Sequence, residues 1–264
     1  MDIVNNKFKQ IYVYLNVLMN IICYVGLATC LIVGSGSTIL WMLLAYLIIG
    51  INEQAFFHRM YTHRSWDCPE VFKTIGLLIS TLSLLGPVIY WVALHRAHHR
   101  YNDTSKDPHS PLYMSNFKIQ FLSSSLKIDI RNAADLMKNR KCIFFTVYYF
   151  EIIFFTWAIL MFLMGPLNFF LIILGGTGLA LITANSINTW HHGQQYYFGQ
   201  YQNNKIGTDT SKNDIITGYL TFDGWHNNHH HDPKSFDFGT GISHNKFEFD
   251  LCRIFLPFLG KQQA

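Results

Sequence analysis

The chain has 264 residues, of which 50% are hydrophobic and 14% are charged, and its formal net charge is +4. This length suits one large domain or two small ones, and so small a net charge requires no nucleic-acid partner. The apolar residues occur in long runs and not at helical intervals, which indicates an integral membrane protein.

Four runs are long enough to cross a bilayer. Residues 10–33 contain no charged side chain over 24 positions, and an apolar helix needs roughly 20 residues to span the hydrocarbon core. A cleaved signal peptide is disfavoured, because the run is too long and no small-residue cleavage site follows it. The other runs are 38–57, 143–164 and 167–190. Short connections at 34–37 and 165–166 predict that the four helices form two hairpins.

A fifth run, residues 74–94, contains Gly86 and Pro87 near its middle. Proline removes a backbone donor and breaks a helix, so we predict two short helices that lie in or dip into the interface. Residues 58–142 hold twelve Lys and Arg against six Asp and Glu. By the positive-inside rule this segment and both termini lie in the cytosol, together with all thirteen histidines.

The expected fold is therefore all-α, with a single domain over residues 1–264. Four transmembrane helices form two hairpins, and residues 58–142 and 193–264 form a cytosolic helical cap. The five cysteines include no CxxC pair, and three of them lie on the predicted reducing side, so neither disulfides nor thiolate metal sites are expected. The cysteines are Cys23, Cys30, Cys68, Cys142 and Cys252.

Histidines occur in three boxes of related spacing. Their members are His58 and His63; His95, His98 and His99; and His226, His229 and His230. On an α-helix, positions i, i+3 and i+4 share a face, so each HxxHH box can present three imidazoles to one centre. His58 and His63 would lie about 140° apart on an ideal helix, which suits two nitrogens that reach different metals.

Eight imidazoles are too many for one tetrahedral zinc and suit a pair of ions. An all-histidine dinuclear site with open positions favours iron and oxygen activation. His231 follows the third box and allows a second register, HxxxHH. The HxxHH register repeats the spacing of the second box, so His231 is interpreted as a spare. His109 and His244 belong to no box and are interpreted as surface or interfacial histidines.

Carboxylates near the boxes should accept hydrogen bonds from the free ring N–H groups and orient the rings. Asp103, Asp107, Asp223 and Asp232 stand close by in sequence, although any one of them can instead be a solvated loop residue. An ionisable residue inside a membrane segment is a functional candidate. Glu53 thus either supports the site or contacts the substrate, unless it lies at the wet end of its span.

Glu151 lies deeper within its run than Glu53, and the sequence suggests no partner for it.

The boxes with their flanks resemble the membrane fatty acid desaturases, and most closely the acyl-CoA Δ9 type. The resemblance extends from "GINEQAFFHRMYTHRS" through "HRAHHRYNDTSKDPHSP" and "GWHNNHH" to "FEFDLCRIFLPFLG". It implies that the boxes bind two irons and that one more histidine follows the last span. The chain departs from the family at residues 222–224, where Phe-Asp-Gly replaces Gly-Glu-Gly.

The further histidine belongs to an N-S-x-x-H element in this family. Asn185 and Ser186 do not fit that element, because Thr189 stands at its fifth position. A shift by three residues gives Asn188-Thr189-Trp190-His191-His192, which fits with Thr for Ser. The resemblance therefore implies that His192 is the ninth ligand and that Asn188 holds a metal through water, whereas His191 is not a ligand.

The implied reaction is O2-dependent introduction of a double bond into a long-chain acyl group, whose carrier is CoA, acyl carrier protein or lipid. A closed apolar tunnel would select the carbons that react. Basic residues within 58–142 could anchor an anionic carrier, although topology alone also explains them. Electrons would come from a partner such as ferredoxin or cytochrome b5, because the chain has no cysteine cluster or nucleotide fingerprint.

Three other functions stay open from the sequence. A hydroxylase shares the metal chemistry and differs only in how the oxidised intermediate is resolved. A metal transporter would place ligands at membrane depth, whereas these histidines lie outside the spans or at their ends. A bis-histidine haem protein needs two axial ligands and leaves the repeated boxes unexplained.

Overall fold

The computed structural model describes residues 7–123, 126, 128–239 and 248–262. Most of these residues are helical. The α-helices are α1 Lys7–Val33, α2 Gly36–Asn52, α3 Glu70–Thr81, α4 Val88–Tyr101, α5 Asn116–Phe121, α6 Arg140–Val147, α7 Tyr149–Met164, α8 Pro166–Asn168, α9 Gly175–Trp190, α10 Ile215–Leu220, α11 His226–His231 and α12 Cys252–Leu259.

Other elements connect or extend these helices. A π-helix over Glu53–His63 continues α2, and a second one over Phe169–Leu174 joins α8 to α9. Short 3-10 helices cover Ile130–Ala133 and Leu136–Lys138. Two small antiparallel ribbons pair β1 (Trp66–Asp67) with β4 (Lys261–Gln262), and β2 (Gln200–Tyr201) with β3 (Asn213–Asp214).

Within the described part of the chain, three continuous helices are long enough and apolar enough to cross a membrane. They are Tyr12–Val33, Gly36–His63 and Pro166–Trp190. They coincide with the predicted runs 10–33, 38–57 and 167–190, and the second continues farther than predicted because the π-helix extends α2 to His63. The chain thus has the helices of a membrane protein.

The predicted span 143–164 is not one straight helix. It is divided between α6 and α7, whose axes differ by 72°. With 16 residues, α7 alone measures about 24 Å, which is less than the roughly 30 Å of a hydrocarbon core. Only the bent pair together passes as a fourth span. We predicted that Glu151 lies deep within its apolar run. It is instead exposed, in the first turn of α7.

The two predicted breaks of the chain lie where the sequence placed them. Ser35 caps α2 by accepting the Thr38 N–H at 3.2 Å. Gly165 has a φ of +80°, which favours glycine, and Pro166 begins the following helix.

The run 74–94 is divided into α3 and α4, and α4 begins immediately after Pro87. The prediction of two short helices in this run is therefore correct.

Glycines let α9 approach α1 and α2 closely. A Cβ on Gly178 would lie 2.4 Å from the carbonyl oxygen of Cys23 in α1, and one on Gly176 would lie 2.9 Å from that of Met42 in α2. Neither distance is tolerated by a real side chain, so backbone contact replaces side-chain packing there. The first turn of α9 is thereby fixed against two other helices, and the same helix ends at Trp190, immediately before His191 and His192.

A buried arginine ties the C-terminal segment to the π-helix. Arg59 donates to Asp250 Oδ2 at 2.6 Å and to the Phe236 carbonyl at 3.0 Å, and its guanidinium lies 3.7 Å from the centre of the Phe238 ring. Both members of the ion pair are almost completely buried. Residues 236–238 and 250 are thus held against the helix that carries the first histidine box.

Candidate metal centre

Nine buried or half-buried histidines converge in two groups within the described residues. Each group could hold a metal ion, because its ligand atoms lie within 4.8 Å of one another. The first group is His58, His63, His95, His99 and His229, and the second is His98, His192, His226 and His230. These are the nine histidines that the sequence singled out. His231 is exposed and belongs to neither group, and His244 lies outside the described residues.

His58 and His63 lie in the same group, so the prediction that they reach different metals is wrong. Their ring centres are 5.0 Å apart. The reason is the π-helix over Glu53–His63, in which i→i+5 hydrogen bonds bring residues five apart to neighbouring positions on one face. The angle of about 140° applied to an α-helix.

Each HxxHH box is divided between the two groups, so the prediction of one box for one centre is also wrong. His95 and His99 enter the first group and His98 the second, whereas His226 and His230 enter the second and His229 the first. On an α-helix, residues i and i+4 are about 40° apart, and residue i+3 lies about 60° to the other side. The i, i+4 pair therefore shares a centre, while the i+3 ring reaches the neighbouring one.

The short helix α11 is held by a network of buried amides that the sequence did not reveal. Asn213 Oδ1 accepts hydrogen bonds from the backbone N–H groups of Asn227 at 3.0 Å and Asn228 at 3.2 Å, and so caps the helix from strand β3. Asn228 Nδ2 donates to Glu248 Oε2 at 2.7 Å. The two asparagines between the histidines of the third box thus fix the position of this helix.

Buried carboxylates orient two rings of the second group. His98 Nδ1 donates to Asp107 Oδ2 at 2.8 Å, and His192 Nδ1 donates to Asp103 Oδ2 at 2.9 Å. Burial alone would raise the pKa of Asp103, but hydrogen bonds from His192, Ser110 and Thr210 outweigh it and hold that pKa well below its ordinary value. Both aspartates are where the sequence predicted orienting groups.

Asp223 lies between the two groups. Its Oδ2 is 3.2 Å from His226 Nδ1 and 3.9 Å from His58 Nδ1. Asp232, which the sequence also offered as an orienting group, is exposed at the end of α11.

Three further polar groups beside the rings escaped the sequence analysis. Gln54 Oε1 accepts from His58 Nδ1 at 2.7 Å, Asp209 Oδ2 lies 3.6 Å from His230 Nδ1, and the Asn102 amide lies 2.8 Å from the same atom. Their contacts with the rings depend on tertiary structure, although the four-residue step from Gln54 to His58 was a readable signal.

The donor atoms of the site fit a bound cation. His192 Nε2 and His226 Nε2 face each other at 3.0 Å, and each ring has its Nδ1 beside a carboxylate. With a proton on each Nδ1, both Nε2 atoms carry lone pairs. Two lone pairs at this distance repel unless a positive ion lies between or beside them, so the geometry matches a metal ligand set.

His109 and His191 are both buried, contrary to a surface role for His109. The His109 ring stacks on that of His98, with 4.3 Å between centres. His191 Nε2 instead pairs with Thr217 Oγ1 at 2.8 Å, and it belongs to neither group, as the sequence predicted for a non-ligand.

A small cavity of about 40 Å³, the central cavity, lies beside the histidines. Its wall includes His58, His95 and Asn188. Apolar side chains form much of the remaining wall, among them Leu85, Trp91, Leu94, Ile119, Leu126 and Ile187.

Two more cavities adjoin the central cavity. The mouth cavity, about 460 Å³, shares Leu94 and Leu126 with it and is lined by the basic side chains of Arg100, Lys106 and Lys118 and by the carboxyl groups of Asp107 and Asp129. The far cavity, about 20 Å³, shares six lining residues with the central cavity. The mouth and far cavities share no lining residue with each other, and the central cavity, with His58 and His95 in its wall, adjoins both.

Glu53 lines both the central and the far cavity. It is 3% exposed, so it does not lie at a wet end of its span. Its Oε2 accepts from Gln54 Nε2 at 3.0 Å, and Gln54 in turn contacts His58. The carboxylate is thus linked to the first histidine group through one amide.

Comparison with known proteins identifies relatives of the whole site-bearing region. Residues 35–247 match the family described as fatty acid desaturase. An sn-1 stearoyl-lipid 9-desaturase from Synechocystis sp. is 28% identical over 221 residues, which are 82% of this chain and 67% of that protein. An acyl-CoA C20 Delta5-desaturase from Anemone leveillei is 30% identical over 198 residues, covering 72% of this chain and 62% of that protein.

A third relative, an acyl-CoA Delta-12 desaturase from Tribolium castaneum, is 24% identical over 265 residues, which are 94% of this chain and 71% of that protein. The chain thus spans about two thirds of the length of the relatives that it matches. The relatives differ in carrier and in double-bond position. Because the family match covers most of the chain, including every histidine of both groups, this protein belongs to the fatty acid desaturase family.

Proposed function

We propose that this protein is an O2-dependent fatty acyl desaturase that uses two irons. The first iron would be held by His58, His63, His95, His99 and His229, and the second by His98, His192, His226, His230 and, through water, Asn188. The observation that carries this proposal is the facing pair of Nε2 atoms on His192 and His226, 3.0 Å apart. Nine imidazoles in two groups favour two ions over a single zinc or haem iron.

Bound iron would supply oxygen activation and the oxidation of two adjacent methylene groups. The chain's own residues hold the ligands still and exclude water. Asp103 and Asp107 keep His192 and His98 in the tautomer whose Nε2 faces the metal. Asn213 and Glu248 fix α11, which carries ligands of both groups.

The arrangement of the cavities supports a long-chain acyl substrate bound to an anionic carrier. The carrier would lie in the mouth cavity beside Arg100, Lys106 and Lys118, and the chain would extend past the histidines through the central cavity. A methylene chain offers no polar handle at its middle, so the apolar walls would set which carbons face the metals. CoA is the carrier that we propose, because three cations suit several phosphates.

We propose a single domain with four spans in two hairpins, the fourth being the bent pair α6 and α7. Both termini and the metal centre would face the cytosol, in agreement with the positive charges within residues 58–142. An electron donor such as ferredoxin or cytochrome b5 would approach from that side.

The experiment is expression of the full chain in a host that supplies ferredoxin or cytochrome b5, followed by mass spectrometry of total lipids and iron analysis of the purified protein. We expect new double bonds and two irons per chain. His192→Ala should lose both, whereas His231→Ala, the matched control on an exposed histidine, should keep both. Hydroxylated chains would identify a hydroxylase instead, and bound haem without iron in the histidine groups would overturn the proposal.

A further inference from the structure

The far cavity is unusually polar for a space that would hold the methyl end of an acyl chain. It lies beyond the histidine groups as seen from the basic mouth, and half of its twelve lining residues are polar. The polar residues are Glu53, Gln54, Ser83, Thr183, Thr221 and Asp223. An unsubstituted aliphatic tail gains the least binding free energy where the wall is polar, because it cannot replace the hydrogen bonds that water makes there.

The hydroxyl groups of this wall are already satisfied. Ser83 donates to the Ser80 carbonyl at 2.7 Å, Thr183 to that of Leu179 at 3.0 Å, and Thr221 to that of Thr217 at 2.8 Å. These three side chains therefore make no demand on an occupant of the cavity.

The two carboxyl groups differ from the hydroxyls. Glu53 Oε1 and Asp223 Oδ1 are buried and have no hydrogen-bond partner among the described residues. Their other oxygens are engaged, since Glu53 Oε2 accepts from Gln54 and Asp223 Oδ2 lies beside His226. Both carboxyls line the central and the far cavity, so the two free oxygens belong to the junction between them.

A buried polar atom without a partner is costly, and a ligand that satisfies it is favoured over one that does not. A methylene group cannot satisfy either oxygen. A hydroxyl group can, and because it both donates and accepts, it suits Glu53 in its ionised and its protonated form.

We propose that the far cavity recognises a hydroxyl group on the acyl chain, carried on the methyl-end side of the reacting carbons, and that Glu53 is the specificity residue. This inference rests on the proposed desaturase function. It names the preferred substrate class as monohydroxylated long-chain acyl groups, in place of unsubstituted ones.

In the test, stearoyl-CoA competes as substrate with each of several monohydroxylated analogues, which differ in the position of the hydroxyl group. For the full chain with iron and its electron donor, the ratio of desaturated products should favour one or two hydroxyl positions by about tenfold. Glu53→Leu should reduce that preference to near unity, and Glu53→Gln, which keeps a hydrogen-bonding group, should retain most of it. Glu151→Leu is the matched control, because it removes an exposed carboxyl from another helix.

A second measurement requires neither turnover nor a variant. In the iron-loaded wild-type protein without its electron donor, the hydroxylated analogue should displace a bound fluorescent acyl-CoA at about tenfold lower concentration than stearoyl-CoA does. Equal displacement, or a product ratio that Glu53→Leu leaves unchanged, would overturn the inference while leaving the desaturase function intact. Absence of any product from an iron-loaded protein with normal acyl-CoA binding would contradict the proposed function itself.

Discussion

Asp103 and His192 form a buried hydrogen bond, with 2.9 Å between Asp103 Oδ2 and His192 Nδ1, although 89 positions separate them in the sequence. The same carboxylate accepts from the Thr210 backbone at 2.9 Å and from Ser110 Oγ at 2.6 Å. Asp103 thus joins the end of α4 to the segment that follows α9. It orients the one histidine of the two groups that no histidine box supplies.

Replacement of Asp103 by Asn should weaken the second metal site more than the first. An amide in place of the carboxylate loses the charge that strengthens the His192 hydrogen bond, and loss of such a partner typically lowers metal affinity 10–100-fold. The measurement is iron content of the purified protein during titration with a chelator, which should remove one iron per chain at a lower chelator concentration than in the wild type.

Asp232→Asn is the control for this prediction, because Asp232 is an exposed aspartate near the same ligands. The chelator should remove iron from this variant at the same concentrations as from the wild type. Parallel loss of both irons in Asp103→Asn would contradict a role confined to His192.

His231, which directly follows the third box, should be dispensable. His229→Ala removes a member of the first group, whereas His231 is exposed and belongs to neither group. We expect His229→Ala to lose iron and activity, and His231→Ala to keep two irons and most activity. Iron analysis and lipid mass spectrometry of the two variants check this, and equal losses would contradict the HxxHH register.

Residue spacing predicted the histidines that cluster in the structure, but not how they divide between the two groups. The α-helical period predicts the wrong relative orientation for His58 and His63 because these residues lie in a π-helix. No sequence pattern from Glu53 to His63 distinguishes that helix from an α-helix. The division of each HxxHH box depends on rings of the other boxes, which only the tertiary fold brings near.

The membrane helices followed from hydropathy, because long apolar runs have few other interpretations. The bend between α6 and α7 could not be predicted from hydropathy, since residues 143–164 are apolar on both sides of it. Likewise, Asn213 and Glu248 gave no local signal, because they accept hydrogen bonds from α11 and lie outside that helix in the sequence.

Arg59 should be among the most important side chains for stability outside the metal centre. Its ion pair with Asp250 has side-chain exposures of 0% and 2%. Removal of one partner from a buried pair leaves an uncompensated charge and costs about 3–5 kcal/mol. Arg59→Ala should therefore lower the thermal unfolding midpoint in detergent by many degrees.

Arg64 provides the comparison, since it pairs with Asp135 at 2.7 Å but its side chain is 62% exposed. An exposed pair contributes about 0–1 kcal/mol, so Arg64→Ala should change the midpoint little. Similar midpoints for the two variants would show that Arg59 does not hold the C-terminal segment as described.

Asp135 should give the protein a component of stability that disappears only in acid. Burial alone would raise its pKa, but hydrogen bonds from Arg96 and Arg64 outweigh burial and lower that pKa to about 2. A carboxyl whose folded pKa lies below its unfolded value of about 3.9 stabilises the fold above the unfolded value, and the contribution is lost as pH falls through the folded one. The difference in unfolding midpoint between wild type and Asp135→Asn should thus be constant from about pH 7 to 5 and shrink below about pH 4.

Because the Asp135 side chain is 34% exposed, solvent screening should keep the difference below about 1 kcal/mol. Asp129→Asn is the matched control, since Asp129 pairs with Arg131 on the surface, only two residues away in sequence, and we expect no measurable change at any pH. A difference for Asp135→Asn that stayed constant down to about pH 2 would mean that the effect comes from the shape of the side chain and not from its charge.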